Sequence, residues 1–264
     1  MPSVSNIAVG ALVAGAAASK ARHGMNESIA RLSTGMRSMY GGDAGGQSVA
    51  NTLEARSRSW AVSARNAEDG ISAAQVAESA LLEMATLFQR LRELGIQADN
   101  AALLQTSSDV AALNAEAAAI GDAIDAIVAG TTFNGKTLLA AATTTFAIGV
   151  TDSGGTVTLK TSDTIAAANG ITAAAGADTN ADAGLIDVAL SLGNIAAGIA
   201  ALKGRQAVAY SASANLAAAA ARVEDTDFAK ETANLTKNSV LNQSAMAMVA
   251  QANQAQSTVL AVLQ

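Results

Sequence analysis

The sequence predicts a mainly α protein of long antiparallel helices paired as coiled coils, with one small β-hairpin insert. Three observations carry that prediction. Of 264 residues, 50% are hydrophobic but only 3% aromatic. The apolar content is therefore largely alanine, which favours helix and lets helix axes approach closely. Small or apolar residues recur in alternating steps of three and four at both ends of the chain, the rhythm of a coiled-coil seam. Glycine, threonine and serine gather instead in the middle. A catalytic globular core would need more aromatic and large aliphatic volume than this chain supplies.

The first helix carries its seam at Val4, Ile7, Ala11, Ala14, Ala18, Ala21 and Met25. An extra four-residue step then shifts the pattern to Ile29, Leu32, Met36 and Met39, which predicts a stutter that locally unwinds the supercoil. Tyr40 to Gly46 (YGGDAGG) contains four glycines and predicts a flexible joint. A single helix follows to about Asn100, with its clearest stripe at Leu81, Met84, Phe88 and Leu91. At ~1.5 Å per residue it spans roughly 85 Å, a length that requires a neighbour alongside.

Ser107, Ser108 and Asp109 form an N-cap cluster for the next helix, whose seam is Val110, Leu113, Ala117, Ile120, Ile124 and Ile127, closed by Gly130. The short connection predicts that it folds back antiparallel. Between Thr143 and Asp182, Phe146, Ile148 and Val150 alternate, as do Val157 and Leu159, on either side of Asp152-Ser153-Gly154-Gly155. This reads as a hairpin, followed by a weakly patterned alanine-rich stretch that is a surface loop or a small subdomain. Helix resumes near Leu185 and runs, with room for a break, to the end. Its last seam is Leu241, Ala245, Met248, Ala252, Ala255, Val259 and Val262.

Several functional classes are disfavoured. A net charge of −6 argues against nucleic acid as a partner. The absence of cysteine leaves no disulfide framework and no thiolate metal site. Asn238–Gln264 is uncharged and long enough to span a bilayer. Its amides at Asn242, Gln243, Gln251, Asn253, Gln254 and Gln256 suit an interface helix better, so no membrane partner is expected. No Lys or Arg precedes Lys20, so Val4–Ser19 lacks the basic region of a cleaved secretory signal. His23 is the only histidine, which rules out two-His zinc sites, and no His-based triad is supported. No glycine-rich phosphate loop is present. Neither an enzyme nor a cofactor is expected.

Several colinear strings resemble bacterial flagellins. In the first half these are RLSTG (Arg31–Gly35), ARNAEDGIS (Ala64–Ser72), LFQRLRELGIQ (Leu87–Gln97) and TTFNGKTLL (Thr131–Leu139). In the second they are NLAAAAARVEDTDFAKE (Asn215–Glu231) and the stretch from Leu235 to Gln264. The chain departs from the family at its extreme N-terminus, which lacks an Asn-Thr-Asn start, and at YGGDAGG, which replaces a more charged stretch.

The resemblance implies the inner domains of a flagellin with little or no outer decoration. Residues 1–40 and 220–264 would be core helices, with Ile7, Met25, Ile29, Leu32, Met36, Leu241, Met248, Val259 and Val262 on their seam. Residues 41–219 would be a helical shell carrying the insert at 143–182. The implied function is a structural subunit that self-assembles into the filament used for swimming, with a hook–filament junction protein as the alternative. The implied location is extracellular, after export in an unfolded state by the flagellar secretion apparatus without a cleaved signal. Implied partners are copies of the chain itself, an export chaperone, and the cap and hook–filament junction proteins. The string around Gln89, Arg90, Arg92, Glu93 and Leu94, with Glu116, is similar to the surface that joins subunits and that the animal Toll-like receptor for flagellin recognises. The terminal seams are too lean in bulk to be stable alone at ~25 cal/mol per Å². The termini are therefore expected to order on assembly.

Overall fold

A computed structural model describes residues 3–37, 42–100, 103, 108–140, 142–163 and 171–262, with side chains described between Val9 and Thr258. The fold is mainly α. Five helices are described: α1 (Ser3–Thr34), α2 (Ala44–Asp99), α3 (Ser108–Gly130), α4 (Ala177–Glu224) and α5 (Phe228–Val262). Two short hairpins lie between α3 and α4: β1 (Thr132–Phe133) with β2 (Lys136–Thr137), and β3 (Thr144–Gly149) with β4 (Thr156–Ser162). The chain forms two compact units, one of Met1–Ala55 with Leu216–Gln264 and the other of Arg56–Asn215.

In the terminal unit α1 and α5 pair along their lengths. Arg31 meets Glu231 and Gly24 meets Asn238, so the helices run antiparallel. The α1 seam is Ala11, Ala14, Ala18, Ala21, Met25, Ser28 and Leu32, an unbroken alternation of threes and fours. The expected stutter is absent. Ser28 is buried and Ile29 is 50% exposed, because keeping the heptad puts position 28 on the seam whatever side chain it carries. Met25 and Leu32 are half-buried, as the seam requires. Met36 lies beyond the helix in an isolated bridge to Asp225 and is not part of the helical seam. The side chains of Ile7, Val259 and Val262, and all of Met39, lie outside the described residues.

On α5 the contact stripe is Glu231, Leu235, Asn238, Asn242, Ala245, Val249, Ala252 and Gln256. It also holds heptad spacing, but it is rotated away from the expected seam. Leu241 (48% exposed) and Met248 (58%) face outward, while Ala245 and Ala252 are shared by both readings. Close approach decides between the two stripes. A Cβ on Gly24 would lie 2.7 Å from Asn238 Nδ2, so the axes sit at a separation that favours short side chains over Leu and Met.

The central unit has a larger core. Leu81, Met84, Phe88, Leu91 and Leu94 of α2 pack with Leu113, Ala117 and Ile124 of α3 and with Val188 and Ile195 of α4. Both α3 and α4 run antiparallel to α2. Arg90 reaches Glu116, Ser57 Oγ donates to the Ser213 carbonyl at 2.8 Å, and Gly95 abuts Asp178. Glycines set the α2–α4 spacing, since a Cβ on Gly184 would overlap the Phe88 ring. The expected α3 seam is present, with Leu113, Ala117 and Ile124 buried. Ser107, one of its expected caps, lies outside the described residues.

Two boundaries differ from expectation. α4 begins at Ala177, not near Leu185. Its first turns (ADTNADAG) hold no large apolar residue, so they carry little periodic signal, yet they bury Ala177, Ala181 and Gly184 on the core face. Ile171 and Ala174 just ahead are buried too, so the end of the alanine-rich stretch is anchored to the core and is not a surface loop. α2 begins at Ala44, inside the glycine run expected to be a joint.

The hairpin expected around Gly154 is present, with Phe146 opposite Leu159 and Ile148 opposite Val157. The smaller hairpin turns on Asn134 (φ 48°) and Gly135 (φ 73°), the positive-φ pair of a type I′ turn. Both hairpins cover the α2–α4 core. Leu138, Leu139 and Leu159 are buried, and Thr161 Oγ1 donates to the Leu138 carbonyl at 2.6 Å.

Removing Phe88 leaves a cavity against Gly184, so Phe88→Ala is expected to lower stability by about 3–5 kcal/mol. Leu82, 53% exposed on the same helix, is expected to lose under about 0.5 kcal/mol on truncation to Ala. Urea unfolding followed by fluorescence of Trp60, the single tryptophan, separates the two. Equal losses would contradict this core assignment.

Candidate functional site

Two surfaces are built for contact. The first lies on α2. Gln89, Arg90, Arg92 and Glu93 are exposed there, and Glu116 is exposed on α3. Arg90 sits at the centre: its Nε and Nη2 donate to Glu116 Oε1 at 2.9 and 2.7 Å, and its Nη1 donates to Glu93 Oε2 at 2.9 Å. The Glu116 carboxylate, with Glu93 in support, holds the guanidinium above its ordinary pKa. Arg92 Nε reaches Asp182 of α4 at 2.7 Å. Adjacent arginines thus join α2 to α3 on one side and to α4 on the other. These groups are solvated, so each pair contributes little to stability. What they supply is a fixed array of charge.

Leu94 does not belong to that exposed array. It is fully buried, on the same face as Leu91 and Phe88. Its spacing from Leu91 places it on the core stripe, and a contact role at this position can only be indirect. The apolar side chains that do flank the patch are Leu82 and Ile96, 53% and 55% exposed, one heptad to either side of Gln89. Reading position 89 as the centre of an outward heptad would have found them.

The second surface is the outward face of the terminal pair. Val9, Leu12, Val13 and Ile29 on α1, and Val240, Leu241, Met246 and Met248 on α5, are all exposed. The buried seam between the two helices also carries polar groups. It holds Ser28, Glu231 and Asn242, and neither Glu231 Oε1 nor Asn242 Oδ1 has a hydrogen bond. Glu231 Oε1 has only a 3.6 Å ion contact with Arg31.

Nothing in this geometry assembles a reaction. Among the described residues no three His, Asp or Glu side chains converge to hold a metal. His23 is exposed and lies 3.2 Å from Glu27, one turn on. The Tyr210 hydroxyl donates to Glu68 Oε1 at 2.7 Å, linking α4 to α2, and that carboxylate raises the phenol above its ordinary 10.0.

Long seam-bearing helices, a charged array and an exposed apolar face on the terminal pair describe a polymer subunit. Residues 6–144 match the family model of the bacterial flagellin N-terminal helical region. Residues 206–263 match that of the bacterial flagellin C-terminal helical region. The chain belongs to the bacterial flagellin family.

Flagellin from Bacillus subtilis is 33% identical over 90% of this chain and 92% of its own length. Flagellin from Halalkalibacterium halodurans is 34% identical over 90% and 91%. Flagellin A of Vibrio cholerae is 40% identical over 51% of this chain and 35% of its own. A crystal structure of Bacillus cereus flagellin aligns with 24% identity and a TM-score of 0.40, over 58% of this chain and 88% of that one.

The chain is therefore a structural subunit of the extracellular flagellar filament, self-assembling and not an enzyme. Nothing in these matches favours a junction protein.

Two outcomes follow from the geometry. Arg90→Ala is expected to leave thermal stability nearly unchanged, whereas Leu94→Ala costs about 2–5 kcal/mol. Comparable melting shifts for the two would show that Leu94 is not core. Tyr210 ionisation, followed by ultraviolet absorbance, is expected above pH 10.0 and to fall back in Glu68→Gln. Because the folded value is raised, the bond's contribution is present below pH 10.0 and is lost as pH climbs through the raised value.

Proposed function

We propose that neighbouring copies bury the outward apolar faces of α1 and α5 against one another. Residues 1–40 and 220–264 would then form the filament core and residues 41–219 the surrounding shell. The observation that carries this reading is the set of larger aliphatic side chains that the terminal pair leaves exposed. Its internal seam is mostly Ala with Ser28, Glu231, Asn238 and Asn242 and the half-buried Met25, Leu32, Leu235 and Val249, while Val9, Leu12, Val13, Ile29, Leu241, Met246 and Met248 are exposed. Burying those side chains gains ~25 cal/mol per Å² of apolar area, and only another molecule can cover them. A repeated head-to-tail contact that does not close into a ring yields a helical tube.

The same reading extends to export and partners. The subunit travels unfolded through the flagellar secretion apparatus. An export chaperone holds α5 by its exposed Leu241 and Met248 side, as an amphipathic helix lies in a groove. Cap and hook–filament junction proteins meet the same terminal helices. Gln89, Arg90, Arg92, Glu93 and Glu116 make a contact between subunits and a surface for the animal Toll-like receptor, with Leu94 supporting them from beneath. Charge on a rigid helix face, with arginine at its centre, supports that role.

Hydrogen exchange on the full chain tests the central claim. Residues 9–35 and 228–258 are expected to exchange fast in the soluble subunit and slowly in the filament. Strong protection of both segments in the soluble subunit would overturn it.

A further inference from the structure

Within the terminal unit one side chain touches described residues at both helix-to-helix connections, Gly35–Arg37 and Asp43 between α1 and α2, and Val223–Thr226 between α4 and α5. Arg37 follows the first helix. Its Nε and Nη2 donate to the Val223 carbonyl in the last turn of α4, at 3.2 and 3.0 Å. The same Nη2 donates to Asp43 Oδ2 at 2.7 Å. The other oxygen, Asp43 Oδ1, accepts the Gly46 N–H at 2.8 Å and so caps the start of α2. That amide, with the Arg37 guanidinium in support, holds the Asp43 carboxyl below its ordinary range.

The backbones are joined as well. The Arg37 N–H donates to the Glu224 carbonyl and the Thr226 N–H donates to the Gly35 carbonyl, both at 2.7 Å. Gln47 in the first turn of α2 adds a bond from its Nε2 to Glu224 Oε1 at 3.2 Å.

We propose that Arg37 is a clamp that makes the two connections a single cooperative element. It binds the carboxyl end of α4 and the capped amino end of α2 at once, so that neither connection opens without the other. The physics favours arginine here. A last-turn carbonyl such as Val223 has no partner within its helix, and the negative end of the helix dipole attracts a cation. The positive end of the α2 dipole favours the Asp43 carboxylate. A planar guanidinium satisfies both with fixed geometry, which a lysine ammonium does not. An exposed ion pair alone is weak. This one is tied on one side to a helix cap and on the other to a helix end, so its effect is coupling more than stability. The clamp goes beyond the interface roles proposed above and does not depend on them.

The decisive variant is Asp43→Asn. Asparagine caps a helix as well as aspartate does, so α2 keeps its start while the charge on Arg37's partner is lost. Exchange of the Arg37, Gly46 and Thr226 amides would be followed in filaments, with variant subunits of the full chain grown on wild-type seeds. If the two connections are one element, Thr226, whose N–H is bonded to the Gly35 carbonyl, exchanges about tenfold faster in Asp43→Asn. Arg37→Gln is expected to release all three amides together, with the Leu81–Leu94 core unchanged. An unchanged Thr226 amide in Asp43→Asn, or release of only one connection in Arg37→Gln, would overturn the proposal.

Discussion

Shortage of side-chain bulk at helix contacts governs this molecule. Where α1 meets α5, the touching residues are largely Ala, Ser and Asn, and Gly24 lies directly against Asn238. Where α2 meets α4, Gly184 accepts the Phe88 ring and Gly95 accepts the backbone of Asp178. Small residues bring axes close, and long helices then gain many weak contacts in place of a few strong ones. Such seams hold only when they are long and in register, which is why helices of 32, 56, 48 and 35 residues run beside one another.

The two units resolve that shortage differently. In the central unit Phe88, Leu81, Met84, Leu91 and Ile124 provide a conventional core, and two hairpins close over it with Leu138, Leu139 and Leu159. The terminal unit has few such residues inside: Met25, Leu32, Leu235 and Val249 are only half-buried. It leaves other large aliphatics exposed, and its alanine-rich seam also holds polar groups, some of them unpaired. Unpaired buried oxygens cost stability, while the alternation of small and larger residues along the seam holds it in register. The terminal pair thus has a defined register and a modest affinity for itself. Those properties suit a filament subunit whose ends finish their packing on other copies.

Charge does separate work. The pairs from Arg90 to Glu116 and from Arg92 to Asp182 bridge different helices at the surface, and the Arg37 network bridges two helix-to-helix connections. None is buried deeply enough to dominate stability. Each relates elements that the lean seams alone would leave free to slide.

Helix existence, length and the central core stripe were legible in the sequence, because Leu81–Leu94 and Leu113–Ile124 combine a clear period with real bulk. So was the hairpin around Gly154, through strict alternation on both sides. The first hairpin was not among the expected elements, although the Asn134-Gly135 pair carries the signal of a tight turn. Periodicity became ambiguous wherever alanine and glycine dominate. The start of α4 at Ala177 carries no hydrophobic contrast, and α5 offers two heptad stripes offset around the helix, with Leu241 and Met248 on one and Asn242 and Val249 on the other. Local pattern favours the greasier stripe. Only the approach of α1, at a distance set by glycine and alanine, selects the smaller and more polar one, and the same proximity puts Ser28 inside and Ile29 outside. Likewise the string around Arg90 showed a charged helix face, whereas the partners Glu116 and Asp182 come from other helices and exist as neighbours only after folding. The sequence by itself determined which segments are helical and where bulk is concentrated, since those depend on residues near in the chain. Which face turns inward was decided by tertiary structure, because it depends on how closely another helix can come.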